Sequence, residues 1–182
     1  MKSSCFLACL RLISALTLTW LAAPAAFAAD GPLTAKAAFE QLKGLAGEWR
    51  GKAIHGGTTN DAVVNYRVIG GGSTVMETLF PGSPHEMVTM YHLDGDKLML
   101  THYCAIGNQP RMVLDLEKST PKLLVFDFAG GTNLDPAKDR HMHSARIGFT
   151  GANSLAGEWS SYQDGKDAGG AQFMLTREPA KK

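Results

Sequence analysis

The sequence predicts an all-β protein: about ten short antiparallel strands closed into one up-and-down barrel, with a short helix ahead of them. Three observations lead there. From Gly44 onward, glycines and turn dipeptides cut the chain into pieces of strand length. Gly70-Gly71-Gly72, Asp94-Gly95-Asp96, Gly151-Ala152-Asn153 and Asp164-Gly165-Lys166 supply residues that tolerate the positive φ of tight hairpins. So many strands in one small domain leave unpaired edges unless the sheet closes on itself. A two-sheet sandwich meets the same strand count, but a leading helix suits a barrel, whose open end it can plug.

The chain has 182 residues, and the first 28 read as a secretory signal peptide. Lys2 and Arg11 give a positive start, Leu12 to Ala23 is free of charge, and Ala26-Phe27-Ala28 puts small residues where a signal peptidase cuts. Polar sequence follows the apolar run at once, and the run is short for a retained membrane anchor. Residues 29–182 then form a single domain, and the expected location is secreted or periplasmic. Cleavage takes two of the 18 basic residues and none of the 17 acidic ones, leaving 16 against 17, a formal charge of −1. With no basic run, the chain has no electrostatic footprint for nucleic acid, or for a membrane after cleavage. Cys5 and Cys9 leave with the signal, so Cys104 stands alone and the core must hold the fold without a disulfide.

Along the remaining chain, Thr34 is placed to cap a helix over Ala35 to Lys43, with Ala38, Phe39 and Leu42 on one face and Gly44 as its stop. Strands are expected at 46–55, 61–70, 73–80, 86–94, 97–105, 111–118, 122–129, 141–150, 154–163 and 171–178. Pro81, Pro84, Pro110 and Pro121 fall at strand ends, where a missing donor does little harm. The longest irregular piece, Gly130 to Arg140, has room for a helical turn around Leu134-Asp135-Pro136.

Leu45-Ala46-Gly47-Glu48-Trp49-Arg50-Gly51, after a short helix, is similar to the Gly-x-Trp opening of lipocalin-like barrels. The chain also resembles a family of uncharacterised secreted bacterial proteins of that calycin-type fold. The resemblance is carried by Tyr91-His92-Leu93-Asp94-Gly95-Asp96, His102-Tyr103-Cys104, Gly107-Asn108-Gln109-Pro110-Arg111-Met112, Gly130-Gly131-Thr132-Asn133, His141-Met142-His143 and Tyr162-Gln163-Asp164-Gly165. It implies a barrel with an interior cavity and implies no settled activity.

His141 and His143 are the sharpest candidate pair. Two residues apart on a strand, they would share a face about 6–7 Å apart, together with Ala145, Ile147 and Phe149, while Met142 points out. They are read as polar lining near a barrel mouth. The alternative is two-thirds of a metal site completed by His102. On the strand over 97–105 both faces are largely apolar, so either His102 or Tyr103 points inward. Arg111 either lies outside, paired with an acid, or clamps a ligand carboxylate through two hydrogen bonds. Cys104 is read as a small buried hydrophobe, and Asn108 and Gln109 as turn residues. Trp49 and Trp159 are read as packing, and His55 and His85 as exposed loop residues. No nucleophile elbow, phosphate loop or Cys-x-x-Cys is present, and the carboxylates read as scattered at strand ends, with no acid–base pair among them.

The favoured reading is a secreted or periplasmic barrel binding a small, largely apolar molecule with a polar or acidic group, oriented by His102, Tyr103, Arg111, His141 and His143. The alternatives are a metal-dependent enzyme using His102, His141 and His143, and a structural module without ligand. The sequence names no cofactor.

Overall fold

The computed structural model describes residues 32–179. The signal-peptide reading therefore falls outside the described residues. Within them lie one α-helix and ten strands: α1 (Ala35–Lys43), β1 (Gly47–His55), β2 (Thr58–Ile69), β3 (Thr74–Leu79), β4 (Met87–Asp94), β5 (Lys97–Tyr103), β6 (Gln109–Leu114), β7 (Leu123–Thr132), β8 (His141–Gly151), β9 (Ser154–Gln163) and β10 (Lys166–Arg177). Each strand pairs antiparallel with the next, and β10 pairs with β1 to close the barrel. This is the expected up-and-down barrel, closed without a free edge.

Alternation builds the wall. On β3 Val75, Glu77 and Leu79 are buried, and on β5 Leu98, Leu100 and His102, with the intervening residues turned outward. The inward sets of neighbouring strands merge into one core that also takes in Trp49, Val64, Tyr91, Met112, Leu124, Phe126 and Ala145.

The helix forms as its sequence dictates. Thr34 Oγ1 accepts from the Ala37 amide at 3.1 Å, and the Gly44 amide closes the last turn on Glu40. Ala35, Ala38, Phe39 and Leu42 are buried in the barrel core. Being joined directly to the start of β1, α1 plugs one end of the barrel. The plug is fastened from the far end of the chain. Arg177, last residue of β10, donates to Gly44 O and Ala46 O at 2.7 Å each and lies 4.4 Å from the Trp49 ring. Trp49 itself donates to Leu45 O at 2.8 Å.

Strand ends differ from expectation where side chains redirect the backbone. β6 stops at Leu114, not 118, because Asp115 Oδ1 accepts from the Glu117 and Lys118 amides and turns the chain. β2 and β10 begin earlier than expected. The two-residue turns Gly56-Gly57 and Asp164-Gly165, all at positive φ, let pairing start directly beside them. The expected helical turn between β7 and β8 is present: the Asp139 amide donates to Asp135 O at 2.8 Å.

Candidate functional site

The end of the barrel opposite α1 is built by the β1–β2, β3–β4, β5–β6, β7–β8 and β9–β10 connections. A cavity of about 760 Å³ runs inward from it. Its mouth carries His55, Asp61, His85, Ile106 and Arg140, and its wall is mostly apolar, with Ala53, Leu79, Phe80, Met87, Met142 and Phe173. Polar groups on the wall are few: His102, His141 and Ser161, with Cys104 near the rim. This proportion of apolar wall to sparse polar groups is the usual make-up of a small-molecule site.

His102 is the best-defined member. Its place in the inward set of β5 with Leu98 and Leu100 settles the orientation that sequence left open. Tyr103, one residue on, points out and is half exposed. Across the β4–β5 pair His102 stands opposite Thr89, and its Nδ1 lies 3.0 Å from Thr89 Oγ1. Its ring packs on Trp159 with centroids 4.7 Å apart, and Nε2 is buried without a hydrogen-bond partner. Burial lowers the imidazole pKa from 6.5 to about 4, so the ring is neutral at pH 7.

Behind His102 lies a buried polar cluster. Glu77 is opposite Tyr66 on one side and Thr89 on the other. Tyr66 donates to Glu77 Oε1 and Tyr91 to Oε2, each at 2.7 Å, and Thr89, opposite Glu77 on β4, brings a third hydroxyl beside the carboxyl. Burial pushes the Glu77 pKa up, and the three hydroxyls pull it back. The two phenols are themselves held well above their ordinary range by burial and by the neighbouring carboxyl. The expectation that carboxylates would sit only at strand ends is thus corrected. Glu77 is in mid-strand, on the buried face, because three hydroxyls on neighbouring strands satisfy it. The signal was visible in sequence, since Glu77 shares its period-two face with Val75 and Leu79.

The His141–His143 pair sits in an irregular stretch of β8, with its two rings in contact. The β8–β9 register shifts between Met142 and Ser144, a β-bulge that breaks strict alternation. Met142 now stands opposite the buried Ser161 and lines the cavity, where plain alternation would have put it outside. His141 is fully buried and reaches the cavity wall, whereas His143 is not among the lining residues. His143 stacks between Tyr162, with centroids 3.8 Å apart, and Phe128, 5.0 Å away. His141 Nδ1 lies 2.8 Å from Asp139 O, and its Nε2 lies 3.1 Å from His143 Nδ1. A carbonyl can only accept, so His141 Nδ1 carries a proton and donates to Asp139 O. Burial first, and then His141, lower the His143 pKa.

Arg111 is exposed on the outer side of β6, beside Gly130 of β7, and does not line the cavity. The lining guanidinium is that of Arg140, at the mouth, 3.5 Å from Ser161 Oγ and 3.4 Å from Ala168 O. Of the five candidates, the structure brings His102 and His141 to the cavity and leaves Tyr103, Arg111 and His143 off its wall. Among the described residues no three His, Cys, Asp or Glu side chains are grouped to hold a metal ion. Sequence reasoning missed Trp159 and Arg140 as lining residues, and His55 and His85 as mouth residues; only the closed three-dimensional register reveals them.

Fold and site together define a closed ten-stranded β-barrel, plugged at one end by a helix and hollow at the other. No protein-family model and no curated protein sequence matches the chain.

Proposed function

We propose that the protein is a secreted or periplasmic lipocalin-like barrel, released by signal cleavage, that binds a small, largely apolar molecule bearing a polar or acidic group. The observation that carries this reading is the cavity of about 760 Å³, apolar along its wall and rimmed by a guanidinium. An apolar wall of that extent leaves its side chains without packing partners on the cavity side. That loosens the core, a cost that a resident ligand offsets. Affinity would come from the apolar wall, and an acidic group, where the ligand has one, would face Arg140 at the mouth. The pattern of residues 1–28 and the absence of any basic run support secretion without attachment to nucleic acid or membrane.

The test uses 1-anilinonaphthalene-8-sulfonate, an apolar dye with one anionic group, on the natively folded protein. One molecule is expected to bind per chain, with enhanced fluorescence and unchanged near-ultraviolet circular dichroism. Ala53 is buried on the cavity wall, so Ala53→Trp fills the space and is expected to weaken binding on the order of tenfold or more by occupying the ligand's volume. Binding that is equally strong in Ala53→Trp places the dye elsewhere and removes the basis for this reading.

A further inference from the structure

We propose that the inner part of the cavity selects ligands carrying a neutral hydrogen-bond donor, a hydroxyl, phenol or N–H group, and that His102 Nε2 is the atom that accepts it. This deepens the binding function above and rests on it.

The donor–acceptor sense follows from the chain of contacts behind the imidazole. Glu77 is met by Tyr66, Tyr91 and Thr89, all hydroxyls that can donate to it. A Thr89 hydroxyl whose proton points to Glu77 has only lone pairs left for the atom 3.0 Å away, His102 Nδ1. Nδ1 therefore carries the ring proton and donates. The imidazole is neutral, so Nε2 is a bare lone pair. That lone pair is buried and meets no donor among the described residues. A buried acceptor left unmet costs free energy that any arriving donor recovers.

The ring is also placed for access from one side only. His102 lines the cavity and Thr89 does not, and Nε2, on the edge remote from Thr89, is covered by neighbouring side chains until they give way. The Trp159 indole packs on that ring and lines the same cavity, so a ligand reaching Nε2 slides against Trp159 and displaces part of its contact. An ionised acid does not suit this place. It would set negative charge against a lone pair, and Arg140, the one Lys or Arg among the lining residues, is at the mouth. The two polar regions thus divide the work: acid groups face Arg140 outside, donors face His102 inside.

The experiment compares 4-octylphenol, its methyl ether 4-octylanisole, and 4-octylbenzoate, each binding to the full mature chain by calorimetry. The ether lacks the donor and carries one extra methyl group, which by apolar burial alone would favour the ether. The phenol is expected to bind the wild type on the order of tenfold more tightly than the ether. In His102→Leu that preference should fall below twofold. In Thr89→Val, a near-isosteric change, the imidazole is free to move its proton to Nε2, and the preference for the phenol should shrink. The benzoate should lose affinity in Arg140→Ala and not in His102→Leu. If phenol and ether bind the wild type equally, the inference is overturned while the binding function stands. A phenol preference that survives intact in both His102→Leu and Thr89→Val overturns it as well. If none of the three compounds binds, it is the binding function itself that falls.

Discussion

At Glu77, burial and hydrogen bonding pull in opposite directions, and three hydroxyls decide the outcome. Removing one of them shows how much each is worth. Tyr91→Phe keeps the ring that packs edge-on against Phe126, 5.8 Å away, and deletes only the 2.7 Å bond to Oε2. It is expected to destabilise the protein by about 1–3 kcal/mol, as for a buried bond to a charged or polarised group, measured by urea unfolding. His102 supplies a second residue-scale prediction. Its pKa is about 4 in the folded protein, against 6.5 for the ordinary solvated imidazole that the unfolded chain presents. Between those values the unfolded chain takes a proton that the folded one refuses. Its contribution is therefore full above pH 6.5 and is lost as pH falls toward 4, about 3 kcal/mol in all. Glu77 works the other way: with a raised pKa the folded state takes its proton first, which favours folding as pH falls toward 4.5. Comparing the wild type with His102→Gln cancels the Glu77 share. Between pH 7 and 4.5 the wild type should lose about 2 kcal/mol more stability than the variant. Parallel pH profiles would mean that His102 is not buried as described. At this scale the sequence was only half legible. The even–odd split between His102 and Tyr103 could be read, but which face looked inward could not, because Leu98 and Met99 are both apolar.

At the scale of elements, the ten strands and their hairpins could be read because glycine pairs and short polar turns mark each reversal. The mouth could not. Among the described residues, three of the four register shifts, between Pro110 and Met112, between Met142 and Ser144, and between Asp167 and Gly170, lie at the end of the barrel remote from α1; the fourth, between Phe149 and Gly151, lies beside the β8–β9 turn at the other end. Each of the three inserts a residue and re-aims its neighbours, so period-two reasoning from the strand middle fails just where the cavity opens. That is why Met142 lines the cavity and His143 does not. The closing seam between β1 and β10 and the neighbouring β9–β10 pair are both tightly built. A Cβ at Gly51 would fall 1.9 Å from Met174 O, and one at Gly170 would fall 1.8 Å from Trp159 O. Neither clash is with a movable side-chain tip. Gly51→Ala is therefore expected to push β1 and β10 apart, at a cost of about 1–3 kcal/mol or more. Hydrogen exchange should show faster amides along the Trp49–His55 pairing while β4 and β5 stay protected.

For the whole molecule, the two ends of the barrel have separable jobs, a division that strand count and the leading helix foreshadow but that only closure makes concrete. One end is closed by α1, whose Leu42 is fully buried and whose exit is held by Arg177. The other is hollow. Stability and binding should therefore respond to different substitutions. Leu42→Ala removes a fully packed side chain and is expected to cost about 2–5 kcal/mol in urea unfolding, because the ring of strands around it cannot collapse to fill the space. Under conditions where it remains folded, its affinity for 1-anilinonaphthalene-8-sulfonate should stay within about twofold of wild type, since α1 residues do not line the cavity. Ala53→Trp should show the reverse, with binding lost and stability little reduced or even raised by filling empty volume. If Leu42→Ala weakens dye binding as severely as Ala53→Trp while still folded, the two ends are coupled and the cavity cannot be treated as a preformed site.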